Sequence, residues 1–433
     1  DGRCQSTLTE DRGERPQMVQ AQRASTVDRP WFGHAGCFLF NQANSHKGLV
    51  MSSLLDIATP AVRVARPVID FDQARQIADE YVTPTLVISR SVVRRNYEAM
   101  RSAMPNVELF YAAKSNPAHP LLRTLAESGS SCDVCSWGEM EQALAAGFTP
   151  DRMIHTHPCK TMSNIVDCWN AGMRWFVVDC EYELDKMATY APDANLILRL
   201  AASSSSSLIN LSAKFGAAPH EAMDVLMAAR ERGLNVRGIS FHVGSQCLNP
   251  SDYERMLYRT REVWDEATAA GFELEMLDVG GGFPAPYRRP VMSLEAFCLQ
   301  LQRSLDVTFG DLPIRIIAEP GRGISAETMT LVTKVLGKNV RGGRRWYFID
   351  DGVYGSFSGK VFDHADFELV TENAIERHHA PCVVAGPTCD SHDIVSEDQE
   401  LPDLDIGELL LVPTMGSYSN ASASPFNGLD VAK

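Results

Sequence analysis

A chain of 433 residues, 45% hydrophobic and 22% charged, is long enough for one barrel-sized domain and a smaller second one. Its net charge of −15 argues against nucleic acid or an anionic membrane as the main partner, and no apolar run approaches membrane-spanning length. The eleven cysteines are irregularly spaced, and several (Cys168, Cys180, Cys298, Cys382) sit in apolar contexts, which reads as reduced, buried thiols in the cytoplasm.

Residues 1–50 are polar, mixed in charge and aperiodic, and read as an unstructured or non-native extension, with Met51 the expected start. From Pro84 the pattern becomes regular. Thr85–Ile88 is an expected strand, followed by an amphipathic helix from Ser89 to Met100. Leu109-Phe110-Tyr111-Ala112-Ala113-Lys114 is an apolar run that delivers one lysine and stops at Asn116-Pro117. Further strands are expected at Cys132, Met153, Trp175, Leu196, Val236, Leu274 and Ile314, each followed by a helical stretch. Eight strands alternating with helices indicate a (β/α)8 TIM-type barrel; a doubly wound open sheet is the alternative. The run Ser203–Ser207 reads as a loop. After Gly323 the alternation stops, and strands at 328–335, 345–349, 381–385 and 408–412 form an expected C-terminal all-β domain. The expected boundaries are 1–50 for the extension, 51–88 for a segment joining the β domain, 89–325 for the barrel and 326–433 for the β domain.

In such a barrel, function sits at the C-terminal ends of the strands. Those ends offer Lys114, Asp133, His155 with His157 and Cys159, Arg199, His242 with Ser245, Asp278 with Gly280-Gly281-Gly282, and Glu319 with Arg322. The triple glycine lets backbone amides approach an anion, and Arg322 adds a permanently charged donor, which together suit one phosphate. Glu319 ends an apolar strand and needs a partner: a protonated pyridine nitrogen would serve, and so would Arg322. His242 could stack on a flat ring or be a satisfied core histidine. His155, His157 and Cys159, like Cys132 and Cys135, have metal-ligand spacing, but no further set completes a site, and no metal is expected. A lysine, a phosphate grip, a carboxylate for a ring nitrogen and a stacking histidine describe pyridoxal phosphate held as a Schiff base.

With these motifs, the chain resembles the fold type III pyridoxal-phosphate amino acid decarboxylases, and most closely the ornithine decarboxylase family. The resemblance is carried by Tyr111-Ala112-Ala113-Lys114-Ser115-Asn116, the stretch around Lys214, Phe241-His242-Val243-Gly244-Ser245 and Asp278 to Pro284. It continues through Glu319-Pro320-Gly321-Arg322, Tyr354, Phe362-Asp363-His364-Ala365, Cys389-Asp390, Tyr418 and Phe426, so that it runs from about Pro84 nearly to the end. It implies an alanine-racemase-like architecture and decarboxylation of L-ornithine to putrescine, a step of polyamine biosynthesis. Lysine and diaminopimelate are the alternative substrates, and a non-catalytic regulatory homologue is the alternative class.

The resemblance also implies roles. Lys114 anchors the cofactor, Glu319 pairs with the ring nitrogen and His242 stacks on the ring. Ser245, Gly280, Gly281, Gly282, Arg322 and Tyr418 hold the phosphate, while Asp133, Glu139 and Arg199 support the cofactor. Asp363 and Asp390 bind the distal ammonium of a small basic amino acid, in a pocket lined by Tyr354 and Phe426. Cys389 is the proton donor. Cys389, Asp390 and Asp393 come from the second subunit of a homodimer, with Lys214 paired to Asp393 across the interface. The chain departs from the family pattern at Gly323, where an aromatic residue is usual, at Phe362, where tyrosine is usual, and at Ser391-His392.

Overall fold

The computed structural model describes residues 62–202, 206–209, 213–372 and 374–432; the expected extension, the Met51 start and residues 203–205 of the serine run lie outside them. Eight parallel strands close a barrel: Val107–Ala112, Ser131–Val134, Met153–His155, Trp175–Val178, Asn195–Leu200, Asn235–Phe241, Met276–Asp278 and Arg315–Ala318. The last pairs with the first, Ile316 opposite Val107 and Ala318 opposite Leu109, and that closure rules out the open sheet.

Helices join successive strands, and polar caps start several of them. The Ser136 hydroxyl accepts from Glu139 N–H at 3.2 Å, Thr161 from Asn164 N–H at 3.2 Å and Ser293 from Ala296 N–H at 3.2 Å, each satisfying a donor that the first helical turn leaves over.

Alternation along the strands divides the barrel into two layers. Phe110, Ile154, Val177, Ile197, Met276 and Ile317 form a cluster of their own that fills the interior. Leu109, Tyr111, Cys132, Val134, Phe176, Val178, Leu196 and Leu198 belong to the larger cluster beneath the helices. Continuing the inner parity by two or four residues reaches Lys114, Thr156, Arg199, Asp278 and Glu319. The interior packing therefore sets which side chains arrive at the C-terminal rim.

The β domain is built on one long strand, Met329–Arg341. Its first half is flanked antiparallel by Thr85–Ile88 and Leu409–Val412. Past a register shift at Val335/Gly337, its second half pairs with Arg344–Ile349 in a hairpin. Gly342 and Gly343 turn that hairpin at φ 57° and 77°, a left-handed pair that glycine adopts without strain. The sheet continues through Ala380–Ala385 to Ile394–Leu401, a strand absent from the sequence expectation. The helix Phe71–Tyr81 was likewise unexpected; Asp70 and Gln73 cap it reciprocally, with Gln73 N–H donating to Asp70 at 2.9 Å and Asp70 N–H to Gln73 at 3.1 Å.

Candidate active site

Lys114 follows the first barrel strand in a single 3-10 turn, Ala113–Ser115. Its Nζ donates to Asp133 Oδ2 at 2.6 Å and lies 3.7 Å from Cys135 Sγ. Thr156 donates its hydroxyl to the other Asp133 oxygen, so a fully buried carboxylate is gripped from both sides. Burial works against the Lys114 ammonium, but Asp133, Cys135 and Glu319 outweigh it and hold its pKa well above the usual lysine range. Glu139 sits one helical turn away and accepts from Cys135 N–H at 2.6 Å; burial raises its pKa.

Next to the first strand, the eighth strand and then the seventh end side by side, with Val279 N–H donating to Ile317 O at 3.0 Å and Glu319 N–H to Gly280 O at 2.9 Å. Two buried carboxyls, Asp278 and Glu319, are thereby brought together. Asp278 Oδ1 accepts from Gly280 N–H at 2.8 Å, and its carboxyl also hydrogen-bonds with Glu319. Burial pushes Asp278 up to about 6; burial and then the Asp278 charge push Glu319 well above the ordinary range. Without a cation the pair retains a proton, as two acids in one dry site must.

His242 is a neutral imidazole. Its Nδ1 accepts from Gly244 N–H at 3.0 Å, and burial, then the positive charges of Arg199 and Lys114, hold its pKa well below the usual value. Arg199 lies 5.6 Å from the Phe215 ring.

The glycine triplet needs its glycines. Gly280 and Gly282 have φ of +69° and +119°, and a Cβ on Gly281 would stand 2.6 Å from Glu319 O and 3.0 Å from His242 Nε2. Tyr253 donates its hydroxyl to Gly281 O at 2.7 Å, and Cys247 N–H donates to Gly282 O at 2.8 Å. The carbonyls are tied back, and among the described residues the N–H groups of Gly281 and Gly282 have no acceptor. The Gly280 amide, expected to face an anion, instead serves Asp278.

Arg322 is buried beside this triplet. It donates to Ser245 Oγ at 2.8 Å, to Asp363 and to Tyr287, its Nε has no partner among the described residues, and its guanidinium lies 4.9 Å from the Tyr418 ring. Tyr418 itself is tied to the Lys114 turn, its N–H donating to Ser115 O at 2.9 Å. Asp363, expected to bind the substrate ammonium, is paired with Arg322; burial raises its pKa although Arg322 opposes it.

A second group forms elsewhere on the chain. Tyr354 and Phe426 stack with ring centres 4.2 Å apart, and the Tyr354 hydroxyl donates to Asp390. Cys389 is exposed, its N–H donating to Asn427 Oδ1 at 3.0 Å. Among the described residues no hydrogen bond, ion pair or ring contact joins this group to Lys114. Asp393 is only 1% exposed and accepts from Val353 N–H at 2.8 Å, Thr388 N–H at 3.0 Å and Thr388 Oγ1 at 2.7 Å. It organises its own turn within the chain. Lys214 is exposed, 4.8 Å from the Phe215 ring.

His155, the last residue of the third strand, turns away from the rim, and His157 lies beyond that strand. His155 stacks on Phe176 at 5.7 Å in the helix-facing layer, and His157 meets Phe215 at 5.4 Å. Thr156, which lies between them on the inner parity, takes the place at the rim. Among the described residues no cluster of metal-ligating side chains forms, and no helix is long and apolar enough to cross a membrane.

The rim thus combines a lysine, a flat histidine face, a carboxyl pair lacking a cation, and free amides beside a buried arginine. That donor set fits pyridoxal phosphate: the ring nitrogen would supply the missing positive charge, and the phosphate would supply acceptors for the amides and Arg322 Nε.

Comparison with known proteins agrees. Residues 90–326 match the pyridoxal-dependent decarboxylase family through its pyridoxal binding domain. The lysine/ornithine decarboxylase of Selenomonas ruminantium is 38% identical over 361 residues, 83% of this chain and 91% of that one. The crystal structure of an SrLDC mutant in complex with PLP superposes with a TM-score of 0.81 at 37% identity, covering 86% of this chain and 95% of that one. The lysine/ornithine decarboxylase of Vibrio vulnificus complexed with cadaverine gives a TM-score of 0.78 at 38% identity, covering 84% and 96%. The chain belongs to the fold type III pyridoxal-phosphate-dependent ornithine/lysine decarboxylase family; it is an amino acid decarboxylase, and its cofactor is pyridoxal phosphate.

Proposed function

We propose that this enzyme decarboxylates L-ornithine to putrescine, in sites shared between two copies of the chain. The observation that carries the reading is Asp390. The Tyr354 hydroxyl, then the N–H groups of His392, lower its pKa to about 2, and it stands beside the Tyr354–Phe426 stack. A carboxylate ionised at every physiological pH, next to aromatic faces, suits the ammonium tip and alkyl chain of a basic amino acid. It repels the distal carboxylate of diaminopimelate. A purely regulatory role would have no use for Lys114, Glu319 and Arg322 in one constellation.

Pyridoxal phosphate supplies an electron sink for the pair left on Cα when the bond to carbon dioxide breaks. The remaining work falls to this chain's side chains. Lys114 anchors the cofactor, with Asp133 and Thr156 fixing its amine. Glu319 keeps the ring nitrogen protonated, and neutral His242 covers the ring without competing for that proton. Ser245, Gly281, Gly282, Arg322 and Tyr418 hold the phosphate, and Arg199 and Glu139 support the wall behind it. Cys389 Sγ, from the second copy, delivers a proton to Cα and recovers one from solvent. Asp390 and Asp363 orient the distal ammonium. The absence of contact between the Cys389–Asp390 group and Lys114 within one chain supports the shared site. So do the exposed apolar side chains of Phe426, stacked on Tyr354, and of Val361 and Phe362, next to Asp363 in the sequence.

Lysine is the second reading, favoured by the relative from Selenomonas ruminantium. One methylene separates the substrates, worth about 1–3 kcal/mol of discrimination. Release of carbon dioxide from ornithine, lysine, arginine and diaminopimelate, with pyridoxal phosphate supplied, tests both. Ornithine or lysine should turn over and diaminopimelate should not. Asp390→Asn should raise KM for ornithine at least tenfold, and an unchanged KM would remove Asp390 from the substrate pocket.

A further inference from the structure

We propose that Tyr287 is a positioning residue for the cofactor phosphate, holding the Arg322 guanidinium through its hydroxyl; this rests on the reading of Arg322 as the phosphate's cation. Arg322 donates to three side chains: Ser245, Asp363 and Tyr287. Two of the three have other work in a loaded site, Ser245 on the phosphate and Asp363 on the substrate ammonium. Tyr287 is the acceptor that can stay with Arg322 whether or not the site is filled. It keeps the planar cation aimed while the other two partners change.

The structure invests in placing this phenol. Tyr287 is buried and sets its ring edge-to-face on Phe367, with centres 5.4 Å apart at 89°. The loop leading to it is clamped by the Gln246 side chain, which donates to Ala285 O at 2.7 Å and accepts from Ala285 N–H at 3.0 Å. Beyond it, Arg288 N–H donates to Asp366 O at 2.9 Å, tying the loop to the segment that bears Asp363. Gly323, directly after Arg322, completes the arrangement: a Cβ there would lie 2.7 Å from the Phe283 Cβ and push the loop outward. A hydrogen bond from a charged donor restricts direction as well as distance, which a phosphate grip needs.

Tyr287→Phe keeps the ring and its packing and removes only the acceptor. Affinity of the cofactor-free enzyme for pyridoxal phosphate, and for inorganic phosphate as its competitor, should fall about tenfold, as expected for one hydrogen bond to a charged group. The melting temperature of the cofactor-free protein should fall somewhat, since a buried charged donor loses an acceptor, so affinities are measured well below it and the Arg322→Ala background separates positioning from general destabilisation. Arg322→Ala should weaken both ligands more, and adding Tyr287→Phe to it should cost nothing further. Wild-type affinity in Tyr287→Phe, or an equal loss in the Arg322→Ala background, would overturn the proposal while leaving Arg322 in place. Undiminished affinity in Arg322→Ala would overturn the underlying reading as well.

Discussion

At the scale of single residues, the acids at the ends of the seventh and eighth strands have a measurable consequence. Folded Asp278 titrates near 6 against an ordinary 3.8, and Glu319 is pushed well above its own ordinary value. Above the ordinary carboxylate range the unfolded chain has released protons that the folded pair still holds, so stability falls as pH rises through the folded pKa values. The pair should therefore make the cofactor-free protein less stable at neutral pH than at about pH 4, with the loss shared between the two coupled acids. Glu319→Gln deletes one late-titrating group, so urea midpoints should decline less steeply with pH in the variant. An equal decline would mean that Glu319 ionises normally in the folded chain. The acids themselves could be found from sequence, because a carboxylate ending an apolar strand is conspicuous. Thr156 was less visible, lying between two histidines that looked more like site residues. Strand alternation counted from Ile154 selects Thr156 and sends His155 outward. Tyr287 sits in an aperiodic loop, and nothing local marks it.

Elements show the same division. Barrel strands and helices were legible because each is bounded by Gly, Pro or a capping residue and carries a clear period. Ile394–Leu401 was not: its centre reads Ser396-Glu397-Asp398-Gln399-Glu400, and only Val395, Ser396, Gln399 and Leu401 are buried. Its place at the sheet edge tolerates that polarity. The helix at Phe71 was missed as well: its apolar pattern is thin, and the reciprocal cap of Asp70 and Gln73 is what starts it. The glycine triplet was visible as a motif, but which amide it offers depends on the Asp278 contact to Gly280. The central glycine yields a prediction at this scale. In Gly281→Ala, the new methyl meets Glu319 O and His242 Nε2, one a backbone atom that cannot give way. The barrel should still fold, at a cost of about 1–3 kcal/mol. The absorbance of bound cofactor should be lost at concentrations that saturate wild type. Full loading would show that the triplet does not face the cofactor.

The whole molecule poses the question that a single chain leaves open, because its chemistry lies in two places. Lys114, Glu319 and Arg322 occupy the barrel rim, while Cys389 and Asp390 sit with Tyr354 and Phe426 in a group that does not touch Lys114. Phe362, next to Asp363, is 67% exposed and Phe426, stacked on the Tyr354 that holds Asp390, is 38% exposed, both large apolar side chains beside the carboxylates proposed to bind substrate. A second copy related by a two-fold axis would cover them and bring each Cys389 to the other chain's Lys114. Subunit mixing tests this directly. Lys114→Ala and Cys389→Ala homodimers should each be inactive or nearly so. In a dimer containing one of each, one site carries both substitutions and the other carries neither. Random exchange makes half of the dimers mixed, so recovery should approach about a quarter of wild-type activity. If each chain instead held a complete site, every site in every mixture would carry one substitution. Recovery would then be nil even after mass spectrometry had verified the exchange.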